Sequence, residues 1–342
     1  MFAVQVATTK GQGGIVTAVK HYARMFSMCG VENAALYRGP ALGQLRDCAI
    51  ETVEAPPWLS SPLGPMAARI SGVVPHWDPD LVVVHSDLCL TSVRALWPRA
   101  AVVTPCHSDK AKRKRHADVV ITLNPTQHSL VAKALDGAHA RPVLLGNPYV
   151  SVGSDQTAEQ APAPRLVFCG RFIETKDPAL LIQAAAGLPS PPPLCFIGEG
   201  PLEPTLRAAA AASGLNATFT GWLRAPFNTI TRSDILVLPS SWEGLPYMVQ
   251  EALDHGVSVA AADNPGNRYA LADGAFGALF KAGDANDLAQ TVANLLDDPQ
   301  EALRRADAGR LALTKRFGPQ AFFAALSRAV LDPTVGLDAQ LA

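Results

Sequence analysis

The chain has 342 residues, 48% of them hydrophobic, so it can bury a large core and is long enough for two domains. Lys plus Arg (29) nearly balances Asp plus Glu (30), which excludes a global nucleic-acid signature. That balance hides an asymmetry, since residues 1–150 hold 15 basic and 10 acidic side chains and the remainder is acidic. Cysteines at 29, 48, 89, 106, 169 and 195 lack metal-ligand spacing and mostly sit in apolar contexts, as buried thiols of a reducing cytoplasm do. No solenoid-scale repeat is present.

Residues 2–7 read as a first strand, and not as a signal peptide, because the stretch lacks a basic leader and a long apolar core. No apolar run is long enough to span a bilayer. Thr8 to Gly14 is a glycine-rich turn before an amphipathic helix, Ile15 to Ser27. Glycines there allow close backbone approach to a phosphate or sugar, although the dehydrogenase spacing Gly-x-Gly-x-x-Gly is not met. Residues 33–80 read as irregular, with a short strand near Ala34–Tyr37 and a helix near Gly64–Val74.

Asp80 to Ser86 and Ala100 to Asp109 are apolar runs that end in His85 and His107. A histidine at the carboxyl end of a parallel strand faces the ligand crevice. A lone one is more often structural; two at successive strand ends point to a role for at least one. Five bases then fill six positions, Lys110 to Arg115. Lys112, Arg113, Lys114 and Arg115 read either as a solvated loop face or as a contact for an anionic acceptor or lipid surface. A strand, Asp118 to Leu123, and a helix ending near Leu135 follow. Ser151 to Pro164, rich in Ser, Gln, Ala and Pro, reads as a linker.

The second half alternates strands (166–169, 194–197, 217–220, 235–238, 257–261) with helices (177–187, 201–213, 225–232, 246–255), the signature of a doubly wound parallel sheet. Further helices are expected over 284–297, 299–316 and 319–330. The stretch Ser240-Ser241-Trp242-Glu243-Gly244-Leu245-Pro246 leaves a buried strand and enters a helix carrying Glu251. Glu243 thus stands at a strand end, and the N–H groups of Gly244 and Leu245 lie near a helix N-terminus, where anions bind. Arg171 and Lys176 follow Gly170 across another strand-end loop. Fixed cations there suit a leaving group that gains negative charge.

The order Gly170-Arg171-x-x-x-x-Lys176, Gly198-Glu199-Gly200, Gly221-Trp222 and Glu243-x7-Glu251 resembles that of the retaining glycosyltransferases of family 4, glycosyl transferases group 1. The likeness covers essentially the whole second half and is weaker in the first. It implies an α/β GT-B fold: two Rossmann-like, doubly wound parallel-sheet domains with an interdomain crevice. The expected domains are 1–150 (acceptor side), the linker 151–164, 165–318 (nucleotide-sugar donor side), and 319–342 as a helix packing back on the first domain.

The resemblance further implies transfer of a hexose-type sugar from a nucleotide-diphosphate sugar to a glycan or lipid-linked acceptor of cell-envelope polysaccharide, lipopolysaccharide or glycolipid. It assigns catalysis to His107, Glu243, Arg171 and Lys176, favouring His107 over His85. Donor binding falls to Gly13, Gly14, Gly170, Arg171, Lys176, Gly198, Glu243, Gly244, Leu245 and Glu251. The motifs that carry the resemblance include no Asp-x-Asp metal site, so no metal and no cofactor beyond the nucleotide-sugar co-substrate is expected, and no nucleic-acid partner. The expected place is cytoplasmic, with the basic run allowing a peripheral seat on the inner face of the membrane. A nucleotide-sugar epimerase of the same fold and a non-catalytic nucleotide-sugar-binding subunit are the competing readings.

Overall fold

The computed structural model describes residues 1–332 apart from 10–12, 40–44, 46–47, 49, 62, 71–76, 109 and 152–162. Most of the expected linker, the end of the helix expected up to Val74, and residues 333–342 therefore lie outside the described residues. The chain divides into two compact units: Met1–Val150 with Thr314–Ala342, and Ser151–Leu313.

In the first unit the elements are β1 (Phe2–Thr8), α1 (Gly14–Met28), β2 (Glu32–Arg38), β3 (Glu51–Glu54), α2 (Gly64–Ile70), β4 (Leu81–Val84), α3 (Leu90–Leu96), β5 (Ala101–Pro105), β6 (Val119–Thr122), α4 (Pro125–Ala134) and β7 (Arg141–Leu144). The strands are parallel and ordered β3-β2-β1-β4-β5-β6-β7. β4 is Leu-Val-Val-Val, buried along its whole length, as a strand covered on both faces must be. Helix α4 starts where Asn124 accepts the Gln127 N–H and Pro125 supplies a preset φ. The edge strand β3, Glu-Thr-Val-Glu, is half-exposed and falls in a stretch whose prolines read as irregular; it pairs in parallel with β2, Leu36 opposite Val53 and Tyr37 opposite Glu54.

The second unit repeats the plan with β8 (Leu166–Cys169), α5 (Pro178–Ala186), β9 (Leu194–Ile197), α6 (Glu203–Ala212), β10 (Ala217–Gly221), β11 (Ile235–Leu238), α7 (Tyr247–Asp254), β12 (Ser258–Ala262), α8 (Pro265–Ala270), β13 (Ala278–Phe280) and α9 (Ala285–Asp297). Its order is β10-β9-β8-β11-β12-β13, again parallel. Both sheets are Rossmann-like, with the reversal of strand order between β1 and β4 and between β8 and β11.

The helix expected over 225–232 is only a single 3-10 turn, Pro226–Asn228. Asp234, fully buried, takes the Thr231 N–H at 2.8 Å and the Arg165 guanidinium at 2.7 Å, while Arg165 also holds the Thr229 carbonyl. Side chains that satisfy these backbone groups remove the helix's advantage.

The chain then runs through α10 (Pro299–Phe317) into α11 (Pro319–Leu331), which belongs to the first unit. There Phe322 meets Tyr22 of α1 edge-on at 5.7 Å, and Arg141 donates to the Ala329 carbonyl at 2.7 Å. Among the described residues no helix is long and apolar enough to cross a membrane.

Three histidines of this unit are held neutral by burial. His21 accepts the Val150 N–H and is driven down to about 3, His107 to about 4, and His85 well below its ordinary value. Unfolded histidine titrates near 6.5, so between that pH and the folded values the unfolded chain binds more protons. Stability is therefore complete above about pH 6.5 and is lost as pH falls, by up to about 1.4 kcal/mol per pH unit for each ring. The urea midpoint followed by tryptophan fluorescence should drop between pH 7 and 5; Trp77 and Trp97, both buried in this unit, report the change. A flat midpoint over that range would contradict it.

Candidate active site

In an open parallel sheet, ligands bind beyond the carboxyl ends of the strands where the order reverses. In the second unit that gap lies between β8 and β11, and the loops leaving them are tied together. The Ser241 N–H donates to the Thr175 carbonyl at 3.1 Å. Beside that link the Lys176 ammonium meets Glu243 Oε1 at 2.5 Å. Glu243 is 9% exposed, so its charge needs this partner. Arg171, earlier in the same loop, is exposed, and no ion-pair partner meets its guanidinium among the described residues.

The next loop completes the wall. Asn264 caps α8 and donates to the Ser240 carbonyl at 2.9 Å, while Asn267 donates to the Ala262 carbonyl at 2.8 Å. At Gly266 a Cβ would stand 2.3 Å from the Glu243 carbonyl oxygen, so only glycine lets α8 press against the backbone that carries Glu243. This is the physical reason for the glycine in the turn after β12, and the asparagine clip is a feature that sequence reading missed.

Glu251 lies half-buried on α7. Burial, then the charge of Glu251, pushes up the thiol of Cys169, the last residue of β8. Gly244 and Leu245 are buried at the entry to α7. Gly170 has only ordinary contacts with Phe168. Gly198, expected to bind donor, has a plain packing role: φ is +133° and a Cβ would stand 2.0 Å from the Gly170 carbonyl. It allows the β9 turn to lie on the β8 turn.

The first unit has its own reversal point, between β1 and β4. Ser86, after β4, donates to the Thr8 carbonyl at 2.8 Å and accepts the Thr8 N–H at 2.9 Å, clamping the two strand ends. Gly13 and Gly14 are exposed at the start of α1, and a Cβ on either would meet nothing within 4 Å. The packing of the described residues does not demand glycine there; the space is open.

His107, half-buried after β5, has its Nε2 at 3.1 Å from Nδ1 of His85, and His85 Nε2 lies 3.1 Å from Gln5 Oε1. Burial, then the charge of Lys114, keeps His107 neutral.

The basic run needs a correction. It forms a 3-10 segment, Ala111–His116, in which Lys112, Arg113 and Arg115 are exposed but Lys114 is completely buried. The Lys114 ammonium donates to Asp87 at 2.7 Å and to the Lys110 carbonyl at 3.1 Å. It is an internal tie and no part of an acceptor or membrane face; the sequence alone offered no signal separating it from its neighbours. Among the described residues no group of three or more His, Cys, Asp or Glu stands where it could hold a metal ion.

Two Rossmann-like sheets in one chain, each with its polar groups at the reversal of strand order, define the GT-B class of folds. Solved structures agree: Anabaena HepE in complex with UDP-glucose superposes with a TM-score of 0.78 over 96% of this chain and 99% of that one, at 17% identity. Sucrose-phosphate synthase from Thermosynechococcus elongatus gives 0.77 over 96% and 97%, also at 17%.

Residues 154–312 match the family described as glycosyl transferases group 1. The 2-deoxystreptamine glucosyltransferase of Streptomyces kanamyceticus is 33% identical over 281 residues, 75% of this chain and 70% of that protein. The chain belongs to the glycosyl transferases group 1 family. It is also 28% identical over 174 residues to the lipopolysaccharide core biosynthesis glycosyltransferase LpsE of Rhizobium meliloti, where the match spans 50% of this chain and 51% of that protein.

Proposed function

We propose that the protein is a retaining glycosyltransferase that moves a hexose-type sugar from a nucleotide-diphosphate sugar to a glycan or lipid-linked acceptor of cell-envelope polysaccharide, lipopolysaccharide or glycolipid. The observation that carries this reading is the Lys176–Glu243 pair at the second reversal point, with Arg171 exposed on the same loop after β8 and without an ion-pair partner among the described residues. One carboxylate and two cations on the loops that leave β8 and β11 suit a ligand that is part sugar and part diphosphate. The relatives named for lipopolysaccharide core synthesis and for glucosyl transfer, and a neighbour solved with UDP-glucose, support the same class of substrates.

In the reaction the bond from the anomeric carbon to the diphosphate oxygen breaks. A bond from the acceptor oxygen to that carbon forms on the same face, and the acceptor's hydroxyl proton passes to the leaving phosphate oxygen. The diphosphate gains charge as it departs; Arg171 and Lys176 are fixed cations for that charge. Glu243 addresses the donor sugar and Glu251 accepts hydrogen bonds from ribose hydroxyls. The open space at Gly13 and Gly14 is assigned to the donor.

These cations take the part that a divalent metal plays elsewhere, so sugar transfer from a panel of nucleotide sugars should continue in EDTA. Transfer that vanishes with EDTA and returns with Mg²⁺ contradicts metal independence. Formation of an isomeric sugar nucleotide without acceptor would favour an epimerase, and binding without turnover a non-catalytic subunit.

The exposed cations Lys112, Arg113 and Arg115 are assigned to an anionic acceptor or the anionic membrane that carries it. Each contributes on the order of 1 kcal/mol near such a surface, screened beyond about 8–10 Å in physiological salt. The variant with all three changed to Ser should lose co-sedimentation with anionic liposomes at low salt. Equal sedimentation of the wild type with anionic and neutral liposomes, together with full activity of the variant, rules the assignment out.

A further inference from the structure

The buried chain behind His107 is a hydrogen-bond relay with a direction. Gln5 on β1 is 1% exposed, His85 is 2% exposed, and the two are joined at 3.1 Å through Gln5 Oε1. An amide oxygen only accepts, so His85 donates from Nε2–H. Burial keeps His85 neutral, so its other nitrogen, Nδ1, is an acceptor. His107 therefore donates to it from Nε2–H across 3.1 Å. What remains on His107 is Nδ1 with a bare lone pair, and no donor meets it among the described residues.

The ring of His85 has no freedom to break this order. Tyr22 of α1, fully buried, packs edge-on against it at 5.2 Å. The neighbouring Ser86–Thr8 clamp and the His85 N–H bond to the Val6 carbonyl at 2.8 Å hold its backbone to β1, the strand that bears Gln5. A glutamine inside a parallel strand is costly unless hydrogen-bonded. Gln5 is the fourth residue of β1, set between Val4 and Val6 on a strand that borders the reversal point of the sheet.

We propose that Gln5 and His85 are positioning residues that fix His107 as its Nε2–H tautomer, so that Nδ1 is presented as an acceptor to a hydroxyl of the sugar substrate. The second half of this statement rests on the transferase reading above; the first does not. A neutral imidazole in a fixed tautomer orients a hydroxyl without carrying charge into the site. A ring free to exchange tautomers would meet the same hydroxyl as a donor part of the time, and the hydroxyl would then have to turn and accept, so the direction of the contact would no longer be fixed.

Two-bond proton–nitrogen NMR on the full chain labelled with ¹⁵N-histidine reads the tautomers directly, with peaks assigned through His85→Phe and His107→Gln. In the wild type both His85 and His107 are expected as Nε2–H tautomers. The near-isosteric variant Gln5→Met removes the acceptor and should release both rings into mixed tautomers. Finding His107 protonated on Nδ1 in the wild type overturns the proposal; Gln5 Nε2 has no partner among the described residues, and the amide turned over would produce that result. Unchanged tautomers in Gln5→Met overturn it as well.

The sugar-transfer assay tests the second half. Gln5→Met should lose about tenfold in kcat/KM, the worth of one well-placed hydrogen bond. Tautomers as expected with unaltered transfer by both Gln5→Met and His85→Phe would leave the relay standing and overturn the contact between His107 and substrate. An absence of transfer by the wild type on every nucleotide sugar tried, with the tautomers as expected, would count against the transferase reading and not against the relay.

Discussion

Arg171→Ala should slow sugar transfer by roughly 10²–10³-fold, the usual cost of losing one fixed charge aimed at a developing negative centre. The same change should leave stability within about 0.5 kcal/mol, because the side chain is exposed and has no ion-pair partner among the described residues. That separation of rate from stability makes the substitution informative. Lys176→Ala is a poorer probe, since it also strands Glu243, a carboxylate 9% exposed and bonded to Lys176 at 2.5 Å. A kinetic loss there would mix lost phosphate binding with a disturbed loop. Initial rates and thermal melts of Arg171→Ala measured side by side decide the matter. Wild-type turnover sinks the assignment of Arg171 to the leaving diphosphate, and a large drop in melting temperature would show a structural role instead.

Lys114→Met should cost about 3 kcal/mol of stability, since breaking a buried pair leaves a charge without compensation. The ammonium is fully buried, bonded at 2.7 Å to an Asp87 carboxylate whose side chain is 17% exposed. The remaining access of Asp87 to water sets the loss at the low end of the range for buried pairs. For a unit of this size the melting temperature would fall by about 8 °C. Asp87→Leu combined with Lys114→Met should recover most of the loss, because a well-packed apolar pair replaces an ion pair at little cost. A melting temperature unchanged in Lys114→Met would show that the pair is not holding the segment. Lys112→Ser, by contrast, should be silent in the melt, because that side chain is exposed.

These two lysines, two positions apart in one basic run, show where sequence reading stops. Nothing in Lys-Arg-Lys-Arg separates the buried member from its neighbours. The 3-10 turn at Ala111–His116 rotates Lys114 inward, and an aspartate 27 residues away receives it. Gln5 is a similar case: as a sequence letter it is one polar residue in a strand, and it gains meaning only when β4 lies beside β1 and brings His85 to it. The helix expected over 225–232 failed for the same kind of reason, since Asp234 and Arg165 are remote in sequence from part of what they hold.

What the sequence determined by itself is local or periodic. Apolar runs such as Leu81–Val84 and Ile235–Leu238 are buried strands because only a sheet covered on both faces tolerates them. Their alternation with helices made the doubly wound sheet of the second half legible, while the first sheet was expected only from the family resemblance, and Gly170-Arg171, Lys176 and Glu243 stood visibly at strand ends. Tertiary structure alone decided which of those ends are neighbours. The order β10-β9-β8-β11 brings Lys176 to Glu243 across 67 residues, and the close approach of Gly266 fixes the backbone beneath them. Spacing along a chain encodes faces and turns; pairing across a sheet depends on the sum of all its contacts, and no single motif carries that sum.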